Sequence, residues 1–207
     1  MTSRQRTIAR KCLEEWIEPP NTSNLPEQPS GLWRNYQAEK RQKEDRAAKV
    51  PKREGIHGLR WVTLGYHYDW QRRQYTSYFH PFPWELSQLC ADLAHAANDS
   101  WDLDAQAAIV NIYHQRSSMG GHQDDAELSK DHPIVSISLG CPCVFLIGGL
   151  SKEEVPLPIA LRSGDVVLFG GSSRLRHHGV PKIWREVEGN LSLEDDISVT
   201  LTGRMDE

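Results

Sequence analysis

From Ala107 to Thr202 the chain is a succession of short apolar, β-branched runs broken by turn residues. This alternation restricts the fold more than any other feature of the sequence. The runs are Ala107–Tyr113, Pro133–Leu139, Cys143–Ile147, Pro158–Leu161, Asp165–Phe169 and Ile197–Thr202. Ser163-Gly164-Asp165 and Gly170-Gly171-Ser172 read as turns between them. Strands this short must each bury one face against another layer, which predicts a sandwich or jelly roll.

The first half reads differently. Residues 4–17 predict a helix with Ile8, Cys12, Leu13, Trp16 and Ile17 on one side. Pro19-Pro20-Asn21 ends it, and 21–31 is a loop rich in Pro, Ser and Asn. A charged helix is expected at about 32–48 and a linker at 51–58. Leu59–Trp70 (LRWVTLGYHYDW) suits a strand with a bend at Gly65. Leu86, Leu89, Cys90, Leu93 and Ala96 repeat at helical spacing within 84–97. The expected organisation is α+β: an N-terminal helical extension over 1–58, then a β-rich domain over 59–207 that carries the chemistry.

Composition removes several classes. Hydrophobic residues make up 38% of the 207 and seven tryptophans are present, which is a folded chain and not a disordered one. No run approaches the roughly 18 apolar residues of a membrane span, and the N-terminus lacks the apolar core of a secretory signal. An intracellular protein with no membrane partner is expected. Cys12, Cys90, Cys141 and Cys143 read as structural thiols, since Cys141-Pro-Cys143 has no second pair to make a zinc site. Residues 1–75 carry 15 Lys and Arg against 9 Asp and Glu, although the whole chain has a net charge of −4. A basic N-terminal part is compatible with an anionic partner such as nucleic acid, or with a solvated helix of mixed charge.

Residues 120–127 read Gly-Gly-His-Gln-Asp-Asp-Ala-Glu. In extended backbone, positions two apart share a face, so His122 and Asp124 can aim a nitrogen and an oxygen at one point. A metal held this way needs a third ligand. His114, His132, His177 and His178 are the candidates, and His177-His178-Gly179, after the 165–169 strand and its turn, is the better placed segment. Two histidines and one carboxylate leave positions open on an octahedral ion, which is the non-haem Fe(II) oxygenase arrangement. Zinc would favour a tetrahedral site with one water. Asn111 and Tyr113 flank Ile112 and present two polar side chains on one face of an apolar strand, where both need partners.

In order along the chain stand Asn111-x-Tyr113, His122-x-Asp124, Ser136-x-Ser138-Leu139-Gly140, Phe145 through Gly149, Ser163-Gly164-Asp165 and Ser173-Arg174-Leu175-x-x-His178. This set resembles the AlkB-type dioxygenases that depend on Fe(II) and 2-oxoglutarate, and is nearer to the branch of the first AlkB homologue of animals and fungi. Leu59–Tyr68, Pro81-Phe82-Pro83 and Pro20-Asn21-x-x-Asn24-Leu25 are similar to that branch as well. The resemblance runs from about residue 10 to 183.

It implies a double-stranded β-helix (jelly roll) with N-terminal and flanking helices. It also implies that His122, Asp124 and His178 bind Fe(II), and that Asn111 and Tyr113 contact 2-oxoglutarate. Glu127 becomes an acid near the substrate base, with Ala126 where the bacterial member has a polar residue, and His177 a neighbour facing substrate. The implied reaction uses molecular oxygen to hydroxylate an N-methyl group of a nucleobase, which then leaves as formaldehyde. Transfer RNA 1-methyladenosine or methylated DNA adenine would be the substrate. The alternatives are a binding protein that keeps the fold and metal without turnover, and a protein hydroxylase or demethylase with the same iron site.

The family's last strand carries Arg-x-Asn-x-Thr-x-Arg, whose arginines hold the co-substrate's carboxylates by bidentate pairing. Here the end reads Asp196-Ile197-Ser198-Val199-Thr200-Leu201-Thr202-Gly203-Arg204. Aligned on Thr202, Arg204 takes the second arginine position and Ser198 the first. Aligned on Thr200, those positions hold Asp196 and Thr202. The first register keeps one cation and is preferred. In both the first arginine is missing, with Arg174, Arg176 and Arg185 as possible substitutes.

Overall fold

Strand β4 (Ala107–Tyr113) shows how the layers are built. Its even-numbered side chains, Ala108, Val110 and Ile112, are buried in an apolar layer under the helices. Ile109, Asn111 and Tyr113 face the opposite way and line a cavity. β6 (Ile134–Leu139) repeats the division: Val135, Ile137 and Leu139 join the helix-side layer, while Ile134 packs in a second core. Period-two alternation thus separates two cores across one sheet. The computed structural model describes residues 2–26, 30–44, 55–114, 117–184 and 198–204, the last of these by its backbone.

The larger sheet contains β1 (Thr22–Ser23), β2 (Trp61–Asp69), β3 (Gln74–Phe79), β4, β6, β9 (Val166–Phe169) and β11 (Ser198–Arg204). Its order is β1-β2-β4-β11-β6-β9, with β3 paired to β2. The smaller sheet is β5-β10-β7-β8, made of β5 (Met119–His122), β10 (His178–Ile183), β7 (Cys143–Ile147) and β8 (Leu157–Leu161). Every pairing is antiparallel. Tyr113 and Phe169 from the larger sheet meet Phe145, Val180 and Ile183 from the smaller one in the second core. Two antiparallel sheets closed over such a core are a jelly roll, as the run of short strands predicts.

Among the described residues, three α-helices cover the outer face. α1 (Ser3–Lys11) starts with a Thr2–Gln5 capping box, ends with Arg10 and Lys11, and continues as a π-turn over Cys12–Trp16. α2 spans Leu32–Glu44 and α3 Trp84–Ala97. Leu86, Cys90 and Ala94 form the buried stripe of α3; Ala96, expected there, is exposed. Lys11 of α1 is ion-paired with Glu85 of α3. Leu13, Trp16, Ile17 and Trp33 are buried in the same core as Val62, Leu64 and Val110. Residues before 59, expected as an extension, therefore supply part of the domain's core, and β1 adds a strand to its sheet. Among the described residues no helix is long and apolar enough to cross a membrane.

Candidate active site

β5 and β10 lie side by side with His122 directly opposite His178. Opposed residues of an antiparallel pair project to one face, so register alone brings the two imidazoles together. Their ring centroids are 4.4 Å apart. Asp124 follows the strand end and sets Oδ1 3.6 Å from His122 Nε2 and Oδ2 3.5 Å from His178 Nε2. One ligand atom from each of the three side chains lies within 4.8 Å of the others. Gly179 permits the close strand approach, because a Cβ there would come within 2.9 Å of the Met119 carbonyl oxygen.

The second nitrogen of each ring is occupied. His122 Nδ1 is 3.0 Å from the Gly120 carbonyl oxygen, and His178 Nδ1 is 3.2 Å from that of Arg176. A carbonyl oxygen only accepts, so both Nδ1 atoms donate and both Nε2 lone pairs are left facing Asp124. That is the tautomer and the backbone support a metal-ligating histidine requires. Phe169 and Phe145 pack on the His178 ring at centroid distances of 4.5 and 5.9 Å and fix its plane. Burial opposes ionisation of Asp124, but the His178 contact and the charges of His178, His122 and Arg174 outweigh it and hold the carboxyl below its usual range. For His178, burial pulls the pKa down and Asp124 more than restores it, for a net rise. Two imidazoles and a carboxylate at the wall of an open cavity match a non-haem Fe(II) donor set and not a closed tetrahedral one.

The cavity measures about 420 Å³. Asn111, Tyr113 and Ser136 of the larger sheet form its floor opposite the triad. The Tyr113 hydroxyl donates to the Met119 sulfur at 3.6 Å, a weak acceptor that a carboxylate would displace. Burial, with Cys143 and Asp124 adding to it, raises the Tyr113 pKa, so the hydroxyl keeps its proton. At the mouth stand Tyr68, Trp70 and Tyr75 of the β2–β3 hairpin, with Tyr68 in edge contact with both others at 4.8 and 5.1 Å. Arg73, in the left-handed region at φ 54°, ends the hairpin turn and reaches Asp125 at 3.7 Å.

The other expected residues divide. Glu127 lines the cavity, with Oε2 held 2.9 Å from Arg174 Nη2. His177 is not among the described residues lining the cavity; its Nδ1 is 3.3 Å from the Gly149 carbonyl oxygen, and its backbone pairs with Gly148 and Gly149. His114 lies 3.3 Å from the Leu59 carbonyl and His132 2.8 Å from that of Asp102, both by ring nitrogens. Of the substitute cations, Arg174 is bound to Glu127 and Arg176 to the Gly148 carbonyl, while Arg185 lies outside the described residues. In β11, Thr200 is opposite Asn111 and Thr202 opposite Ile109. Arg204 is opposite Ala107 at the strand's end, and its side chain lies outside the described residues.

Sequence reasoning passed over the aromatic mouth, the two phenylalanines beside His178, and the fastening of Glu127 by Arg174. The density of Tyr and Trp in 66–75 was a readable signal for the first. The others depend on strands far apart in the chain.

A family model described as the 2OG-Fe(II) oxygenase superfamily matches residues 11–204. The chain is 36% identical over 191 residues to the "Nucleic acid dioxygenase ALKBH1" of Mus musculus, covering 89% of this chain and 48% of that protein. It is 40% identical over 127 residues to the "tRNA demethylase abh1" of Schizosaccharomyces pombe, covering 60% of this chain and 42% of that one. The solved structure of OsALKBH1 superposes with a TM-score of 0.60 at 28% identity, over 70% of this chain and 77% of that chain. The chain spans about half the length of the curated relatives it matches.

Proposed function

The chain belongs to the 2OG-Fe(II) oxygenase superfamily, and from that premise we propose that it oxidatively demethylates N-methylated nucleobases of nucleic acid. The observation that carries the reading is the convergence of His122 Nε2, His178 Nε2 and Asp124 on one point of the cavity wall. In this reading His122, Asp124 and His178 hold Fe(II). Bound iron and 2-oxoglutarate supply, with oxygen, the oxidation that turns an N-methyl group into an N-hydroxymethyl group, which breaks down to formaldehyde.

The chain's own part is binding and orientation. Hydrogen bonds from His122 and His178 to backbone carbonyls keep both rings in the ligating tautomer. Asn111 and the protonated Tyr113 offer donors to the co-substrate, and Arg204 is proposed as a cation for its carboxylate. Tyr68, Trp70 and Tyr75 offer π-faces at the mouth, on which an unstacked base can rest. The names of the relatives, a nucleic acid dioxygenase and a transfer RNA demethylase, support methylated bases in transfer RNA first and methylated DNA adenine second. Among the described residues none of the four cysteines is in a disulfide, which is compatible with a reducing setting.

Anaerobic addition of Fe(II) and then 2-oxoglutarate tests the reading. A metal-to-ligand charge-transfer band is expected in the wild type, and none with His122→Ala or Asp124→Ala. Admission of oxygen should then release formaldehyde from an oligonucleotide bearing 1-methyladenine. A silent spectrum in the wild type, with no succinate formed, overturns the proposal.

A further inference from the structure

His67, Tyr78 and His80 gather on one face of the β2–β3 hairpin. The hairpin residues that line the cavity are Tyr68, Trp70, Arg73 and Tyr75. His67 alternates with Tyr68 and so faces the other way. Tyr66 is opposite Phe79, and the His80 N–H donates to the Gly65 carbonyl at 3.1 Å, which puts 67, 78 and 80 on the same side. Tyr68 is opposite Tyr75, so two steps of β2 meet four steps of β3 and 76–78 bulges. Thr76 Oγ1 donates to the His67 carbonyl and accepts from the Tyr78 N–H, both at 3.2 Å. The bulge thereby brings the Tyr78 ring onto His67.

The three rings form a closed set. Their centroids are 4.7 Å apart for His67 and Tyr78, 5.1 Å for His67 and His80, and 4.8 Å for Tyr78 and His80. His80 Nε2 and the Tyr78 hydroxyl oxygen are 2.9 Å apart. His67 is 5% exposed. Its Nδ1 is 2.5 Å from Thr63 Oγ1, whose own proton goes to the Thr22 carbonyl, so Nδ1 donates and Nε2 keeps a lone pair. Among the described residues, Nε2 is the one buried side-chain nitrogen or oxygen without a hydrogen-bond partner. Native structures seldom leave such an atom unsatisfied, and a phenylalanine would fill the same space without that penalty. Burial, and then the charge of His80, lower the His67 pKa, so the lone pair stays open at neutral pH.

Two imidazoles and a phenol offer nitrogen and oxygen donors to a borderline divalent cation such as zinc. Zinc–ligand bonds of ~2.0 Å set tetrahedral ligands about 3.3 Å apart. The 2.9 Å between His80 Nε2 and the Tyr78 oxygen is close to that spacing. The proton now shared by those two atoms is what a cation would displace. Tyr78 is 56% exposed and His80 half-buried, so solvent reaches the pair and water can complete the coordination.

We infer that His67, Tyr78 and His80 form a zinc site, separate from the His122–Asp124–His178 triad, that pins the 76–78 bulge to β2. The site shares no residue with the triad and does not depend on the oxygenase reading. Its effect would be felt by the hairpin that carries the aromatic mouth.

Zinc binding to the full chain tests it. The background is the double variant His122→Ala and Asp124→Ala, which removes two of the triad's three donors. Calorimetric titration with zinc should show one saturable site, and long-range 1H–15N spectra should show the His67 Nε2 resonance shifting. His80→Asn in that background should weaken zinc by about tenfold or more, since losing even a ligand's supporting partner costs that much. His67→Asn should do the same. Zinc should also raise the Tm of the background and leave that of the His80→Asn variant unmoved.

Absence of saturable zinc binding in the background overturns the inference. An affinity unchanged by His80→Asn overturns it too, even if His67→Asn does not fold. Zinc that binds without shifting His67 Nε2 does so as well, and assigns the ion to other side chains. None of these outcomes bears on the triad, whose own test is the charge-transfer band.

Discussion

His67 shows how much a single proton can matter inside this sheet. Thr63 Oγ1 donates to the Thr22 carbonyl at 3.2 Å, so its one proton is committed. His67 Nδ1, bonded to that same oxygen, must be the donor. Nε2 is then a bare lone pair, buried and without a partner. Protonation there would create an unpaired buried cation next to the His80 ring, 5.1 Å away. Burial first, and the charge of His80 second, lower the pKa from 6.5 to about 4. The unfolded chain takes up this proton below 6.5 while the folded one refuses it until about 4. Stability is therefore full above 6.5 and declines as pH falls through that window, by about 2 kcal/mol between pH 7 and pH 5. Urea denaturation at the two pH values measures the loss, and His67→Asn should remove it; an unchanged slope in the variant would assign the effect elsewhere. The proposed metal-ligand residues belong to the same scale. The His122-x-Asp124 spacing was readable from local geometry, because side chains two apart share a face. Local geometry alone left four histidines eligible as their third partner; His178 was named from the placing of His177-His178-Gly179 after the 165–169 strand and from the family resemblance.

At the scale of elements, legibility followed the source of each strand's stability. β4 and β7 coincide with the expected runs, 107–113 and 143–147, because their β-branched and aromatic residues suit a half-buried pleat. α3 matches 84–97 because its apolar stripe and Pro83 mark both face and start. β3, β5 and β10 were not anticipated. Met119-Gly-Gly-His122 and His178-Gly-Val-Pro-Lys-Ile183 have little intrinsic preference for extended backbone, and they form by pairing with strands already present. The bend at Gly65 was legible: its φ is +70°, and a Cβ would come within 1.9 Å of the Gln106 carbonyl oxygen. Gly65→Ala combines backbone strain with displacement of the β2–β4 edge that starts the aromatic hairpin. A loss of about 2–4 kcal/mol is expected in chemical denaturation, and a loss under about 0.5 kcal/mol would show that the sheet edge yields freely.

The whole molecule is a layered object in which the helices before residue 45 seal the face of the larger sheet opposite the cavity. Trp16 is 5% exposed among Leu13, Ile17 and Trp33 in that seal. Trp16→Ala should cost about 3–5 kcal/mol, as large aromatic truncations in cores do. Because the seal and the proposed iron ligands lie on opposite sides of the sheet, Fe(II) affinity of the folded variant should be retained. A parallel loss of affinity at a temperature where circular dichroism shows it folded would contradict this division. The jelly roll was legible because many short strands admit few packings. The shared core across residue 58 was not, since Pro- and charge-rich stretches look like linkers wherever they occur. The basic N-terminal part is compatible with an anionic partner on sequence alone, such as the nucleic acid proposed above as substrate.

One last consequence follows from His122 standing directly opposite His178. It concerns which length changes this chain can tolerate in evolution. The connection between β4 and β5 can grow or shrink without moving either histidine relative to the other. Between Met119 and His122, three steps of β5 already face two steps of β10, so a further residue gained or lost there, without a compensating bulge, turns the imidazole to the other face of the sheet. Lineages that carry such an indel would keep a jelly roll and forfeit the metal.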